Sequence, residues 1–500
     1  MESQDIKPRH PEDEHIVENK ELNIWEALIP VFALIAMLFY NVFFVYGDDA
    51  LGGSNQFILL LGAAVAAIVG FFNKVSYEQM LEEVAENIKS TSGAILILLM
   101  VGALAGTWLI SGIIPSMIYY GLQILNPTIF LAACVVICAI ISIATGSSWT
   151  TSATVGIALI GIGNTLGISA GMTAGAVLSG AYFGDKMSPL SDTTNLAPAM
   201  AGAGLFEHIR YMSLTTVPTI AVTLIVFIII GLNLDVQGTA NISDKLAAID
   251  GSFNISPWLF LVPIAVILMI IKKTSPLIAL LIGTLLGGVA ALIAQPEIVT
   301  SISGEEALTF NSAYKGIMDA ITVGGSVETS SAELNDLFSS SGMEGMLGTI
   351  WLIICAMVFG GVMDAIGALA RISKALLSLA SSTFGLFAST VASCLALNAT
   401  ASDQYLAIVV PGKMFKKAYD DKGLAPVNLS RTLEDSGTVT STLVPWNTCG
   451  AYQSGVLGVS VADYFIYAIF NWLSPFMTLT FAAFRIKIKQ VTNSFGSKVA

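Results

Sequence analysis

Long apolar segments separated by short polar ones dominate this chain. A helix that crosses a bilayer needs about 20 mainly apolar residues. Segments close to this length predict membrane-spanning helices over 24–46, 57–72, 93–114, 128–144, 211–232, 257–271, 276–294, 347–369, 383–397 and 461–483. Shorter apolar pieces around 150–163, 170–184 and 402–412 bring the expected total to roughly 10–13 segments. The pattern therefore predicts an all-α polytopic membrane protein.

Polar residues interrupt the apolar pattern twice in each half of the chain. The interruptions lie at 145–151 and 184–195 in the first half, and at 398–403 and 434–448 in the second. They are rich in Gly, Pro, Ser, Thr and acidic residues, which end helices. Free backbone carbonyls at membrane depth are tolerated only beside a water-filled cavity or buried protein. The interruptions therefore predict broken or re-entrant helices.

Similar short segments recur in the same order in both halves. Residues 144–148 (ATGSS) resemble 399–403 (ATASD), 188–193 (SPLSDT) resemble 444–448 (VPWNT), and 217–219 (VPT) resemble 474–476 (SPF), at intervals of 255 to 257 positions. Chance similarity between Leu- and Ile-rich helices is the alternative explanation. Polar matches in a conserved order are harder to obtain by chance, so we expect an internal duplication.

Basic residues indicate how the two halves are oriented. Lys74 and Lys89 lie in 73–92, Lys272 and Lys273 follow another span, and the segment 485–489 is basic. The positive-inside rule makes these segments and both termini cytoplasmic. Equivalent spans then run in opposite directions, which predicts inverted repeats, typical of secondary transporters. The expected parts are a cytoplasmic acidic tail (1–23), a first membrane repeat (24–232), an external linker (233–256), a second membrane repeat (257–484) and a cytoplasmic tail (485–500).

Composition excludes several other classes of protein. The 500 residues are 55% hydrophobic and 11% charged, whereas soluble domains carry about 25% charged residues. Neither a Walker A sequence nor a His-Glu-x-x-His pair occurs, and Tyr182 replaces the first Gly of the Gly-x-Gly-Asp motif of intramembrane aspartyl proteases. Cys134 and Cys138 lack the further Cys or His that a zinc site requires. We therefore expect a transporter, not an enzyme, with neither a cofactor nor a nucleic-acid partner.

Carboxylates in the interruptions are the leading candidates for binding a cation or a proton. A charge at the bilayer centre costs at least about 2.5–3.5 kcal/mol, so it rarely stays there without a function. Carboxylate, hydroxyl and carbonyl oxygens also suit a small hard cation such as Na⁺. The candidates are Asp185, Asp192, Asp403, Thr145, Ser147, Ser148, Thr193, Asn398 and Ser402. Secondary candidates are Asn195, Asp364, Glu434, Asp435, Asn447 and Thr448.

The acidic candidates other than Asp403 also have a simpler interpretation. Asp185 would then lie with Lys186 in a cytoplasmic loop, and Asp192 would only cap a helix. Asp364 lies near the end of its span, where it would be exposed to solvent. The adjacent pair at 434–435 would lie in a solvated loop close to Arg431.

Several of these segments resemble a known family. Residues 144–149 (ATGSSW), followed by 179–197 (SGAYFGDKMSPLSDTTNLA), are similar to the NhaC-type sodium/proton antiporters. In the second half, 398–405 (NATASDQY) and 433–437 (LEDSG) are similar too, and the resemblance extends over 24–484. It implies a multi-pass antiporter of the ion transporter superfamily type in the bacterial inner membrane, with Na⁺ and H⁺ as the transported ions. Whether such a protein forms a homo-oligomer stays open.

The favoured function is exchange of Na⁺ for H⁺ at one alternating site, where a carboxylate binds either the cation or a proton. The family also includes exchangers that couple Na⁺ and H⁺ to malate and lactate, so an organic-acid exchanger is the alternative. The interruptions contain no arginine to pair with a dicarboxylate, which favours the bare cation. A passive channel is a third class, against which the inverted repeat argues.

Overall fold

The computed structural model describes residues 22–46, 53–234, 242–335 and 337–491. Almost all of them are helical, and within this part of the chain the two strands form one small antiparallel sheet, β1 (Gly325–Ser326) with β2 (Ser339–Ser340). The all-α prediction is therefore confirmed. Most of the tail predicted at 1–23 lies outside the described residues, as do parts of the linker at 233–256 and of the tail at 485–500.

The helices before residue 242 are α1 (Ile24–Tyr40, continued by a π-turn at Asn41–Tyr46), α2 (Ser54–Phe72), α3 (Tyr77–Ile110), α4 (Ile113–Ile124), α5 (Pro127–Thr145), α6 (Ser148–Thr151, continued by a π-turn at Ser152–Gly156), α7 (Ile157–Thr165), α8 (Ala170–Met187), α9 (Asp192–Ala201) and α10 (Leu205–Asn233).

The later helices are α11 (Ile242–Ser252), α12 (Leu261–Ile271), α13 (Pro276–Ala294), α14 (Pro296–Ser303), α15 (Phe310–Thr322), α16 (Ala332–Asn335), α17 (Leu347–Ala365), α18 (Ala368–Ser378), α19 (Thr383–Thr400), α20 (Gln404–Asp421), α21 (Pro426–Leu433, continued by a π-turn at Glu434–Thr438), α22 (Thr448–Leu457), α23 (Val461–Phe465) and α24 (Ile469–Ala483).

Eight helices of the described residues are long and apolar enough to cross a membrane. A ninth span is formed if the bent pair Ile242–Ser252 and Pro257–Ile271, with 84° between its parts, crosses as one unit. Two details differ from the sequence expectation. The predicted loop at 73–92 is mostly helix, because Ser76 and Gln79 form a capping box that starts the 34-residue α3. The predicted span at 461–483 is divided into α23 and α24.

The outer surface of the helices is apolar. On α1, the side chains of Ile29, Phe32, Ile35 and Phe39 are 48–59% exposed, and α13 exposes a similar row of Ile, Leu and Val. Soluble monomers rarely expose continuous apolar surfaces of this size. The surface is that of a multi-pass membrane protein, whose helices face lipid hydrocarbon instead of water.

Helix boundaries recur along the chain at a nearly constant interval. Three pairs of capping residues are each 256 positions apart, namely Asn126 and Ser382, Ser191 and Asn447, and Gly202 and Gly458. The two glycines of the last pair both adopt the left-handed conformation that ends a helix. This recurrence supports the predicted duplication, whereas the inverted orientation of the two halves stays a prediction.

Glycine allows α8 to lie directly on α5. A Cβ atom at Gly180 would stand 2.2 Å from the carbonyl oxygen of Val135, and one at Gly184 would stand 2.5 Å from that of Ala139. Side chains at either position would therefore force the two helices apart. This close contact brings the end of α8, with Asp185, beside the break that follows α5.

Candidate functional site

The first polar interruption is a sharp break between α5 and α6. The helix α5 ends at Thr145, and Gly146 has a positive φ of 72°, which a residue with a Cβ atom rarely adopts. Ser147 then caps α6 by accepting a hydrogen bond from the backbone N–H of Thr150 at 3.1 Å. The break therefore brings hydroxyl groups and the N-terminus of α6 close together.

Asp185 is held at this break. Its Oδ2 atom accepts hydrogen bonds from the hydroxyl of Ser148 at 2.7 Å and from the backbone N–H of Ser148 at 3.3 Å. The carboxyl group thus lies at the N-terminus of α6, where backbone N–H groups favour a negative charge. Asp185 is 8% exposed and lies in the last turn of α8. The alternative of a cytoplasmic loop at 185–186 is therefore wrong.

The second half contains a similar break between α19 and α20. It follows Thr400, and Ser402 has a positive φ of 59°. Asp403 then caps α20, accepting hydrogen bonds from the N–H groups of Tyr405 at 2.7 Å and Leu406 at 3.1 Å. The carbonyl of Ser402 accepts a hydrogen bond from the N–H of Thr448 at 2.9 Å, which fixes the start of α22 at this break.

The two breaks meet at one cavity of about 620 Å³, which we call the polar cavity. Of the residues predicted to form the site, those that line it are Asp185, Asp192, Asp403, Thr145, Ser147, Thr193 and Thr448. Tyr405 also lines it and lies within electrostatic reach of Asp185, Asp192 and Asp403. Residues more than 250 positions apart in the sequence therefore line the same cavity.

Asp192 is the most accessible of the three carboxylates. It is the first residue of α9, whereas Ser191 is the capping residue and accepts a hydrogen bond from the N–H of Thr194. The side chain of Asp192 is exposed, and it lines the polar cavity. The alternative that Asp192 itself caps the helix is therefore wrong, since Ser191 does so.

The charge of the lining favours a cation. Three carboxylates line the polar cavity against one ammonium group, that of Lys273, and no arginine is among the described residues that line it. The hydroxyl of Thr145 has no hydrogen-bond partner among the described residues and is free to coordinate. No three acidic, His or Cys side chains of the described residues converge closely enough to hold a metal ion. A cation here would therefore be held by at most two carboxylates, together with hydroxyl, carbonyl or water oxygens.

Four predicted residues stabilise the surrounding structure. Asn398 donates to the carbonyl of Gly437 at 2.8 Å, and Asn447 donates to the carbonyl of Asn398 at 3.0 Å. Asn195 bonds the carbonyls of Pro189 and Ser191. Ser402 is buried behind the cavity wall, and its hydroxyl has no hydrogen-bond partner among the described residues. These residues connect the broken segments and lie outside the cavity lining.

Asp364 and the 434–435 pair are buried, so their solvated interpretations are wrong. Asp364, in the last turn of α17, is 8% exposed and lies outside the cavity lining. Glu434 and Asp435 form the start of the π-turn after α21, and neither is exposed at all. The sequence interpretation placed them in a loop because Arg431 is nearby, but Arg431 is itself buried against the ring of Tyr211.

Lys186 is a functional candidate that the sequence interpretation missed. Its ammonium group contacts the carboxylate of Asp435, and both side chains are completely buried. Asp435 also accepts hydrogen bonds from Thr215 at 2.8 Å and from Thr478. The sequence showed a lysine within the 179–197 motif. Its partner Asp435 is 249 positions away, so no pattern of neighbouring residues could indicate the ion pair.

Comparisons with known proteins identify the family of this chain. The profile of the Na⁺/H⁺ antiporter family matches residues 180–486. The Na⁺/H⁺ antiporter NhaC of Alkalihalophilus pseudofirmus is 37% identical over 423 residues, which cover 85% of this chain and 88% of that protein. The malate-2H⁺/Na⁺-lactate antiporter of Bacillus subtilis is 35% identical, covering 87% and 88%.

The arginine/ornithine antiporter ArcD of Halobacterium salinarum is 32% identical, covering 95% of this chain and 94% of that protein. These relatives exchange different substrates, and all are named as antiporters. Extensive identity to them, together with the profile match, confirms the resemblance inferred from 144–149 and 179–197. This chain belongs to the Na⁺/H⁺ antiporter family, a family of membrane transporters and not of enzymes.

Proposed function

We propose that this chain is a secondary transporter that exchanges Na⁺ for H⁺ across the inner membrane of the cell, and that it binds the cation in the polar cavity. The observation that carries this proposal is the lining, in which Asp185, Asp192 and Asp403 face one cavity together with hydroxyl groups from both helix breaks. Hard oxygen donors and negative charge suit Na⁺. The Na⁺/H⁺ antiporter relatives support the same substrates.

Exchange follows from competition at a carboxylate. An ionised carboxylate in the polar cavity binds either Na⁺ or a proton, so the presence of one ion excludes the other. Asp185 is held for this function by Ser148, whose N–H and hydroxyl stabilise its ionised form when neither ion is bound. Asp403 receives the same kind of support from the N–H groups at the start of α20. Thr145, Ser147, Thr193 and Thr448 supply neutral oxygen atoms at the cavity wall.

The cavity charge argues against an organic acid as the main substrate. A dicarboxylate would face three aspartates and only one lysine in the described lining. A cationic amino acid fits this charge better, and the 620 Å³ cavity exceeds what one Na⁺ ion needs. The arginine/ornithine relative makes this the second candidate function.

The proposal also specifies the side of the membrane to which the polar cavity opens. Lys273, Thr274 and Ser275, in the link between α12 and α13, form part of its mouth together with Ser90 of α3. The positive-inside rule places this link on the cytoplasmic side, with both termini. The structure then corresponds to an inward-open state of an alternating-access cycle, and access from outside requires a second conformation.

Purified protein in liposomes tests the proposed function. An imposed inward Na⁺ gradient should drive protons outward, measured with a pH-sensitive dye inside the vesicles. Malate, lactate and arginine are then added singly to both sides. An unchanged response supports Na⁺/H⁺ exchange. Proton movement that appears only with arginine supports the second candidate, and a requirement for malate or lactate contradicts the assignment from cavity charge. Flux of Na⁺ without any proton movement would indicate a channel.

A further inference from the structure

Glu434 is a buried carboxyl group outside the lining of the polar cavity. It begins the π-turn Glu434–Thr438, is completely buried, and neither of its carboxyl oxygens has a hydrogen-bond partner among the described residues. Its neighbour Asp435, by contrast, is contacted by Lys186, Thr215 and Thr478. Single π-turns inside helices occur frequently at functional sites.

The free-energy cost of burying a charge determines the protonation state of Glu434. An ionised carboxylate without hydrogen bonds or a counter-ion in a low-dielectric interior costs several kcal/mol, so the group becomes neutral instead. The ammonium group of Lys186 lies near Glu434 but already contacts Asp435 and donates to Ser474 at 3.2 Å. Glu434 in this conformation is therefore protonated.

A short connection joins Glu434 to the polar cavity. Its carboxyl group lies near the hydroxyls of Thr193 and Thr438, although neither makes a hydrogen bond of good geometry to it. Thr193 lines the cavity directly after Asp192. Thr193 thus lies between Glu434 and the polar cavity. A small movement of Thr193, or one inserted water molecule, lets a proton pass from Glu434 to water in the cavity.

The charged groups closest to Glu434 explain how it responds to a cation. Lys186 and Asp185 are within electrostatic reach, and His208 lies near Lys186 and Asp435. Helices α9, α19, α20, α21 and α24 pack against this π-turn. Their other titratable groups are Asp192, Cys394, Tyr405, Lys413, Lys416, Lys417, Tyr419, Asp420, Asp421 and Arg431.

We propose that Glu434 is a second proton-binding group of the exchange, separate from the cation site in the polar cavity. A Na⁺ ion bound beside Asp185 adds positive charge within reach of Glu434 and favours its ionised form. The carboxyl O–H bond then breaks, and the proton passes by Thr193 to cavity water, so that one Na⁺ bound releases one proton from Glu434. When Na⁺ leaves, the proton returns. This inference rests on the proposed function.

The Glu434→Gln variant tests the proposal, because glutamine has the same shape but binds no proton. Radioactive Na⁺ binding to purified protein is measured from low to high pH, together with the protons released into weakly buffered solution. We expect E434Q to bind Na⁺ but to release about one proton fewer per ion, with a correspondingly flatter dependence of log Kd on pH. The control is E207Q, since Glu207 is exposed and pairs with Lys489 at the surface.

Two results of this binding experiment overturn the proposal. One is an unchanged proton count and pH slope in E434Q. The other is loss of Na⁺ binding in folded E434Q, which would make Glu434 part of the cation site. If E434Q does not fold, the Glu434→Asp variant keeps a titratable group and should release the wild-type number of protons. A lower count in E434D would show that side-chain shape, not the proton, matters.

An infrared difference spectrum between low and high pH, recorded without Na⁺, tests Glu434 independently of transport. We expect the protonated carboxyl band of the wild type to contain a component that is absent from E434Q. Identical bands in both proteins would overturn the inference even if exchange is normal. A wild-type protein with this band that neither binds Na⁺ nor moves protons would instead contradict the proposed function.

Discussion

The ammonium group of Lys186 contacts the carboxylate of Asp435, and neither side chain is exposed to solvent. Lys186 lies in the last turn of α8 in the first half, and Asp435 lies in the π-turn after α21 in the second. Ser474 of α24 bonds both partners, at 3.2 Å to Lys186 and 3.4 Å to Asp435. The pair thus joins three helical segments outside the lining of the polar cavity, whereas Asp185, the neighbour of Lys186 in the chain, lines that cavity.

Removing one partner of this ion pair should destabilise the protein strongly. Lys186→Met leaves the buried carboxylate of Asp435 uncompensated, which costs about 3–5 kcal/mol. The melting temperature in detergent, followed by tryptophan fluorescence, should fall, and the double variant K186M/D435N should recover part of the loss. Lys489→Met is the matched control, because that ion pair with Glu207 is half-exposed and contributes at most about 1 kcal/mol. If K186M and K489M had the same melting temperature, the buried ion pair would not stabilise the protein in this way.

The Asp403→Asn variant should lose transport but keep the stability of the wild type. Asparagine caps a helix about as well as aspartate does, so the hydrogen bonds from Tyr405 and Leu406 are kept and the melting temperature should change little. Sodium-driven proton movement in liposomes should be lost, since the neutral amide takes up no proton and lacks the negative charge with which the carboxylate attracts Na⁺. Asp463→Asn, at the exposed start of α23, is the control. Normal exchange by D403N with an unchanged pH dependence would exclude Asp403 from the site.

Thiol labelling should report both the cavity and its orientation. The five native cysteines are buried, so a new cysteine in the polar cavity can be distinguished by its reaction. In vesicles of known sidedness, Ser147→Cys and Ser275→Cys should react with a small impermeant reagent only from the cytoplasmic side. Ser436→Cys, which is completely buried outside the lining, should stay unlabelled. Labelling of S275C from the outside would reverse the proposed topology.

The contact between α5 and α8 should tolerate no added side chain. In Gly180→Ala, the new Cβ would stand 2.2 Å from the carbonyl of Val135. Such overpacking typically costs about 1–3 kcal/mol, and displacement of α8 should also weaken transport by moving Asp185 away from Ser148. Gly348→Ala is the control, because nothing lies within 4 Å of a Cβ at that position of α17. A G180A variant as stable and active as G348A would show that the helices adjust freely.

Some features of this protein were predictable because they depend on neighbouring residues. Apolar segment length determines which helices can cross the membrane, so α2, α5 and α13 were found near their true bounds. Gly146 ends one helix, and Ser147 and Asp403 start others by local hydrogen bonds, so the breaks at 145–151 and 398–403 were found too. The family followed from the motif at 179–197.

Tertiary structure alone decided which polar residues share a site. Asp185, Asp192 and Asp403 were candidates because each is a carboxylate in an apolar region, but only the packing of distant segments places all three at the polar cavity. The same reasoning ranked Asn398 with them, although it bonds Gly437 outside the lining. Burial of Lys186 and Glu434 depends on helices hundreds of residues away. Local sequence determines where a helix starts and ends, but solvation and pairing of a charge depend on everything that packs around it.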